Sequence, residues 1–194
     1  MTEINTSLLV YLNGLTHNIW GEYMVYIFAD GPIFFAPIFL IVVWIFAAIK
    51  KNNHTKNKLL HIFYGTLIGI IFALLIQKCV HVERPETVLE GTGRLLLSHI
   101  PDASFPSDHA TVGIAFAVGL WFAGYKKLFL YIFPLMILMN ISRVIAGVHW
   151  PFDVIVGTGI GAISAWMSFC LLKQQKLVKK LNDFIIHIAS YFKL

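Results

Sequence analysis

His149 and Asp153 stand four residues apart, and His109 closes a Ser-Asp-His run at 107–109. Two histidines can divide phosphoryl transfer between them. One attacks phosphorus and the other moves a proton. An aspartate beside the attacking histidine can fix its tautomer. Lys78, Arg84 and Arg143 supply the cations that such a reaction needs. Pro106 stops any preceding helix, and Ser107 or Asp108 can cap the next one. The N–H groups of that helix start lie at the positive end of its dipole and form a ready anion site. His149 sits just before Pro151, which suits the first turn of a new helix, with Asp153 in that turn. Gly147 allows close backbone approach. The set reads as a phosphate pocket.

Each residue has a plainer reading by itself. His109 can be a helix-start residue, Asp108 a cap, and Asp153 a carboxylate favoured near a helix N-terminus. Arg143 and Lys78 can snorkel to an interface. His17, His54, His61, His81, His99 and His187 read as structural or surface. The plain readings do not predict that every piece falls on one side of a membrane, and the charge pattern does.

The elements that must position these residues are membrane helices. The 194-residue chain is 58% hydrophobic and 13% charged. Soluble domains carry about 25% charged residues. Apolar stretches at 32–49, 59–80, 109–125, 128–148 and 152–172 approach the ~20 residues that cross a bilayer. The expected fold is all-α, a polytopic transmembrane bundle of five to six spans in one domain. Residues 1–30 read as one or two interfacial helices, a sixth span being the alternative. Residues 174–194 read as an amphipathic tail on the inner surface. No basic segment opens the chain, so a cleaved signal peptide is not expected. Cys79 and Cys170 fall near opposite faces, too far apart for a disulfide.

Ten of the fifteen Lys and Arg lie in three alternating segments: Lys50, Lys51, Lys56 and Lys58; Lys126 and Lys127; Lys173, Lys176, Lys179 and Lys180. The positive-inside rule puts all three in the cytoplasm. This accounts for the net charge of +5 without nucleic acid. The opposite side receives residues 81–108 and the 148–151 turn, with Glu83, Glu86, Glu90, Asp102, Asp108 and Asp153. The candidate site is therefore expected at the outer membrane-water boundary. No Cys/His pair has zinc-site spacing, and no metal or cofactor is expected.

Three stretches carry a family resemblance: "KCVHVERP" (78–85), "PSDH" (106–109) and "SRVIAGVHWPFD" (142–153). They resemble the signatures of the type 2 phosphatidic acid phosphatase family, whose superfamily also holds vanadium-dependent haloperoxidases. The third signature matches in full. In the second, Asp108 stands where the family usually has glycine, and "SFPSDHAT" is similar to the bacitracin-resistance-type undecaprenyl diphosphate phosphatases, as is the early "ADGP" turn (29–32). In the first, five residues separate Lys78 from Arg84 where the family has six, so Gln77 holds the usual lysine position. One residue turns a helix by about 100°.

The resemblance implies a metal-independent lipid phosphatase of a bacterial inner membrane, acting on a polyprenyl diphosphate at the outer face. It implies His149 as nucleophile, Asp153 as its orienting partner and His109 as acid and base. Arg84, Arg143, Ser107, Asp108 and Lys78 are then the substrate-binding residues. Other lipid phosphates (phosphatidylglycerophosphate, a lipid A phosphate) and phosphotransfer from a lipid diphosphate remain alternatives. From another class, a transporter would bring its ionisable groups to the midplane rather than to a boundary.

Overall fold

The computed structural model describes residues 3–16, 18–85, 95–97 and 103–194. Among these it is all-helical. Helix α1 spans Glu3–Asn13 and α2 spans Ile19–Asp30. A 3-10 turn, Gly31–Phe34, joins α2 to α3, Phe35–Ile49. Helix α4 is Asn53–Cys79, α5 is Asp108–Phe122, α6 is Lys126–Ile145 and α7 is Pro151–Trp166. Helix α7 runs on through a π segment and a 3-10 turn to Gln174, and α8, Lys176–Tyr191, follows.

Four helical runs are long and apolar enough to cross a bilayer: Ile19–Ile49, Asn53–Cys79, Lys126–Ile145 and Pro151–Gln174. The chain is a membrane protein, and this count is below the five to six expected. The difference lies in two elements. Helix α2 is not a separate interfacial helix, because it continues through the Gly31–Phe34 turn into the first span. Helix α5 has 15 residues, about 22 Å at 1.5 Å each, short of the ~30 Å hydrocarbon core. Between Ala110 and Leu120 its residues are mostly buried, including Ile114, Ala115, Phe116, Ala117 and Leu120, and only Trp121 and Phe122 at its end are exposed. A helix apolar all round belongs in an interior. Its neighbours α4, α6 and α7 enclose it, so it does not have to meet lipid along a full span.

The core forms around α5. Phe116 lies edge-on to Phe35 and Phe39, with ring centroids 6.2 and 5.6 Å away. Leu59, Ile62, Met136, Met139 and Phe169 complete the buried cluster. Helices α5 and α7 approach most closely along Gly157 and Gly161. A Cβ on Gly157 would come within 2.5 Å of the Ser107 carbonyl oxygen, and one on Gly161 within 2.9 Å of the Ala115 nitrogen. Small residues spaced by four let membrane helices meet backbone to backbone. Here that contact draws the first turn of α5 toward the first turn of α7.

Caps are local and polar. Asn18 and Asn52 accept hydrogen bonds from Gly21 and Thr55, at 2.8 and 3.0 Å. The tail helix α8 packs on α4 through buried Asn182, which accepts from the Tyr64 hydroxyl at 2.7 Å. Leu177, Leu181, Phe184 and Ile188 of α8 are exposed. Cys79 and Cys170 are both unpaired.

Candidate active site

Helix ends build the site. The last turn of α4, the start of α5, the end of α6 and the start of α7 meet at one end of the bundle. Gly147 makes the bend between α6 and α7 with φ of +77°, a conformation that favours glycine. The bend turns His149 back under the end of α6. Pro151 then opens α7, and the Asp153 carboxylate accepts the Trp150 N–H at 2.9 Å, capping that helix.

His149 is buried, at 3% exposure. Its Nδ1 lies 3.0 Å from the Ser104 carbonyl oxygen. A carbonyl can only accept, so Nδ1 carries the proton and Nε2 keeps the lone pair. Asp153 Oδ2 is farther from Nδ1, at 3.7 Å, and accepts the Ser104 hydroxyl. Ser104 therefore bridges the pair: its carbonyl fixes the imidazole and its hydroxyl holds the carboxylate. Burial pushes the His149 pKa down to about 4, against the opposing pull of Asp153, and Arg143 and Arg84 push it the same way as burial. At neutral pH the imidazole is uncharged and nucleophilic.

His109 stands in the first turn of α5, partly exposed, with Nε2 3.4 Å from the Asp30 carboxylate. The same Asp30 oxygen pairs with Arg143 Nη1. Arg143 also donates to the Ala29 carbonyl at 3.4 Å. Its Nε is buried and has no acceptor among the described residues. An anion oxygen would satisfy that donor. Arg84 Nη1 donates to the Val148 carbonyl at 2.6 Å, anchoring the segment just before His149. Both arginines and His149 act electrostatically on His109, so two histidines and two guanidinium groups share one field.

Ser107 is fully buried. Its hydroxyl caps α5 at Ala110 N, 3.5 Å away, and its own N–H donates to the Asp153 carbonyl at 3.2 Å. Asp108 is partly buried and accepts from Gln77 Nε2 at 2.9 Å. Gln77 also donates to the Pro106 carbonyl at 3.1 Å. Thus Gln77 is the residue of α4's last turn that bonds to the 106–108 loop. Lys78, one position on, is exposed and joins none of these hydrogen bonds. The structure brings together Arg84, Ser107, Asp108, His109, Arg143, His149 and Asp153, and leaves Lys78 outside the group. Glu86, Glu90 and Asp102 lie outside the described residues.

Three members of the group are additions to the motif residues. Asp30 comes from the "ADGP" turn, whose signal in the sequence was a carboxylate inside an apolar run. Gln77 has its signal in the one-residue offset of the lysine. Ser104 opens "SFPSDH" and works partly through its backbone, which residue type does not report. Among the described residues no three His, Cys, Asp or Glu side chains are placed to hold a metal ion.

Residues 58–177 match the family model described as the PAP2 superfamily. The chain belongs to the PAP2 superfamily. It is similar to the undecaprenyl-diphosphatase BcrC of Bacillus subtilis, at 27% identity over 188 residues, 95% of this chain and 91% of the relative. It is also similar to the lipid A 4'-phosphatase of Bacteroides thetaiotaomicron, at 26% identity over 94% of this chain and 82% of that protein. The crystal structure of Aquifex aeolicus LpxE superposes with a TM-score of 0.71 at 25% identity, over 86% of this chain and 95% of that one. As a PAP2 phosphatase, the chain has its matched segment end to end across α4–α7, the four helices whose ends carry the histidines and arginines. Asp30 lies before that segment.

Proposed function

We propose that this protein hydrolyses undecaprenyl diphosphate to the monophosphate on the outer face of the inner membrane, so that the carrier lipid can be used again in cell-wall synthesis. The observation that carries the reading is the tautomer of His149. Its Nε2 keeps the lone pair, and the imidazole shares the field of Arg143, Arg84 and His109. In the first step Nε2 attacks the terminal phosphorus. The bond from that phosphorus to the bridging oxygen breaks. Burial and then the neighbouring Arg143 hold the His109 pKa down at about 3. The anionic diphosphate offsets the arginines, so His109 takes up a proton as substrate binds and passes it to the departing lipid monophosphate. In the second step His109 takes a proton from water, which attacks the phosphohistidine. Inorganic phosphate leaves and His149 is regenerated. Arg84 and Arg143 meet the charge that grows on the phosphoryl oxygens, the kind of preorganised field that usually contributes most to catalysis. Asp153, through Ser104, keeps the imidazole oriented.

The similarity to the Bacillus undecaprenyl-diphosphatase over most of both chains supports the polyprenyl substrate. So does a groove of about 380 Å³ beside Asp153, lined by Val80, Val82, Phe105, Trp150 and Phe152. Its apolar walls suit the first isoprene units of a tail. The similarity to a lipid A phosphatase favours one second reading, a phosphorylated glycolipid.

Phosphate release by the purified protein in detergent tests the reading, with EDTA present. Undecaprenyl diphosphate, a lipid A phosphate and phosphatidylglycerophosphate are compared, with His149→Ala as control. EDTA-resistant turnover that prefers the polyprenyl diphosphate and vanishes in His149→Ala is expected. Preference for the glycolipid replaces the substrate and keeps the chemistry. Turnover that survives in His149→Ala removes the nucleophile assignment.

A further inference from the structure

The opposite end of α4 borders a second polar cavity, of about 320 Å³. From Lys58 to Gln77 the helix runs nineteen residues, about 28 Å at 1.5 Å each, so this cavity lies well away from the histidines. His54 and Lys58 of α4, Lys173 of the turn after α7, and Lys179, Asn182 and Asp183 of α8 line it. Three lysines from three separate elements line one space. Among the described residues none of the three is in an ion pair. The Lys58 ammonium faces the Tyr125 ring at 5.7 Å and that of Lys173 faces the Phe169 ring at 6.0 Å. Asp183 offsets one of the three charges.

The inner wall is fixed. Asn182 is 1% exposed and donates to Asn57 Oδ1 at 3.0 Å. It accepts from the Tyr64 hydroxyl, and His61 Nε2 lies 3.5 Å from its amide nitrogen. Three like charges lining one cavity over a fixed polar floor carry an electrostatic cost that a bound anion removes. Helix α8 forms one side of the cavity and turns Leu177, Leu181, Phe184 and Ile188 outward. Such a stripe lies at the boundary of headgroups and acyl chains, so the cavity opens at headgroup depth.

We propose that this cavity is a second anion site, which takes a phosphate group carried by an anionic lipid headgroup or free in solution. The lysines bind the phosphate oxygens and thereby tie α8 to α4 and to the end of α7. The site is separate from the hydrolytic one, and its occupancy needs no turnover.

Thermal unfolding of the full chain in detergent tests this. Phosphatidylglycerol, phosphatidylcholine and inorganic phosphate are added in parallel arms. Phosphatidylglycerol is expected to raise the midpoint by roughly 2–4 °C, with phosphatidylcholine giving no shift. Lys58→Gln/Lys179→Gln should lose the rise, and Lys126→Gln/Lys127→Gln should keep it. Lys173→Gln serves in the same role if the double variant does not fold. His149→Ala should keep the full rise, which separates this site from substrate binding. A rise with inorganic phosphate alone assigns the site to the free anion. No rise with either phosphate source, or an equal loss in the Lys126/Lys127 control, overturns the proposal.

Discussion

The tautomer of His149 is set by the Ser104 carbonyl rather than by the Asp153 carboxylate beside it. Because the buried imidazole protonates only near pH 4 while an unfolded one does so near 6.5, the unfolded chain holds the extra proton between those values. Folded stability should therefore fall as pH drops from about 6.5 to about 4. Thermal midpoints of wild type and His149→Asn across that window check it, the variant giving the flatter profile. Asp30 joins Arg143 and His109. Asp30→Asn keeps the shape and loses the charge, and kcat is expected to fall on the order of 10–100-fold through misplacement of both partners. Steady-state kinetics with an unchanged far-UV spectrum would separate that effect from unfolding. At the end of α4, Gln77→Ala should slow turnover, while Lys78→Ala should leave kcat and KM near wild type. Here the limit of sequence reading is visible. The 142–153 stretch carries its own spacing, so Arg143, His149 and Asp153 stand out together. Asp30 lies more than a hundred residues earlier, and only tertiary packing brings it to Arg143. The choice between Gln77 and Lys78 depends on helix phase, which one residue turns by about 100°.

At the scale of elements, the pairing of α5 with α7 does most to set the distance between the two histidine-bearing turns. Gly161→Val should force those backbones apart, since even a Cβ there meets the Ala115 nitrogen at 2.9 Å. A loss of about 1–3 kcal/mol is expected from overpacking, read as a lower unfolding midpoint, with activity lost in proportion more than fold. Hydropathy made the helices at 59–80, 128–148 and 152–172 legible to within a few residues, because lipid-facing spans must be apolar for their whole length. It overcounted at 109–125 and undercounted before residue 32. Helix α5 is apolar because protein surrounds it, not because it crosses lipid unaided. Helix α2 carries Glu22 and Asp30, which interrupt an apolar pattern without interrupting a helix.

For the whole molecule, the alternating lysine segments predict which end faces the cytoplasm. Cys79 is exposed at the histidine end, and Cys170 is near the other. In a Cys170→Ser protein, a membrane-impermeant maleimide added outside spheroplasts should label Cys79. Labelling only after lysis would invert the orientation. Charge bias bears on orientation because it is a property of segments, whereas the depth of each helix depends on its neighbours. That depth has a mechanical consequence. The first span, Ile19–Ile49, has 31 residues, about 46 Å of helix, while α5 is less than half as long. The first span exceeds the ~30 Å hydrocarbon core, a mismatch relieved by tilt or by local thickening of the bilayer. Helix α5, enclosed by α4, α6 and α7, leaves that adjustment to its neighbours. The turn that carries His109 is thereby shielded from changes in the thickness of the membrane around it.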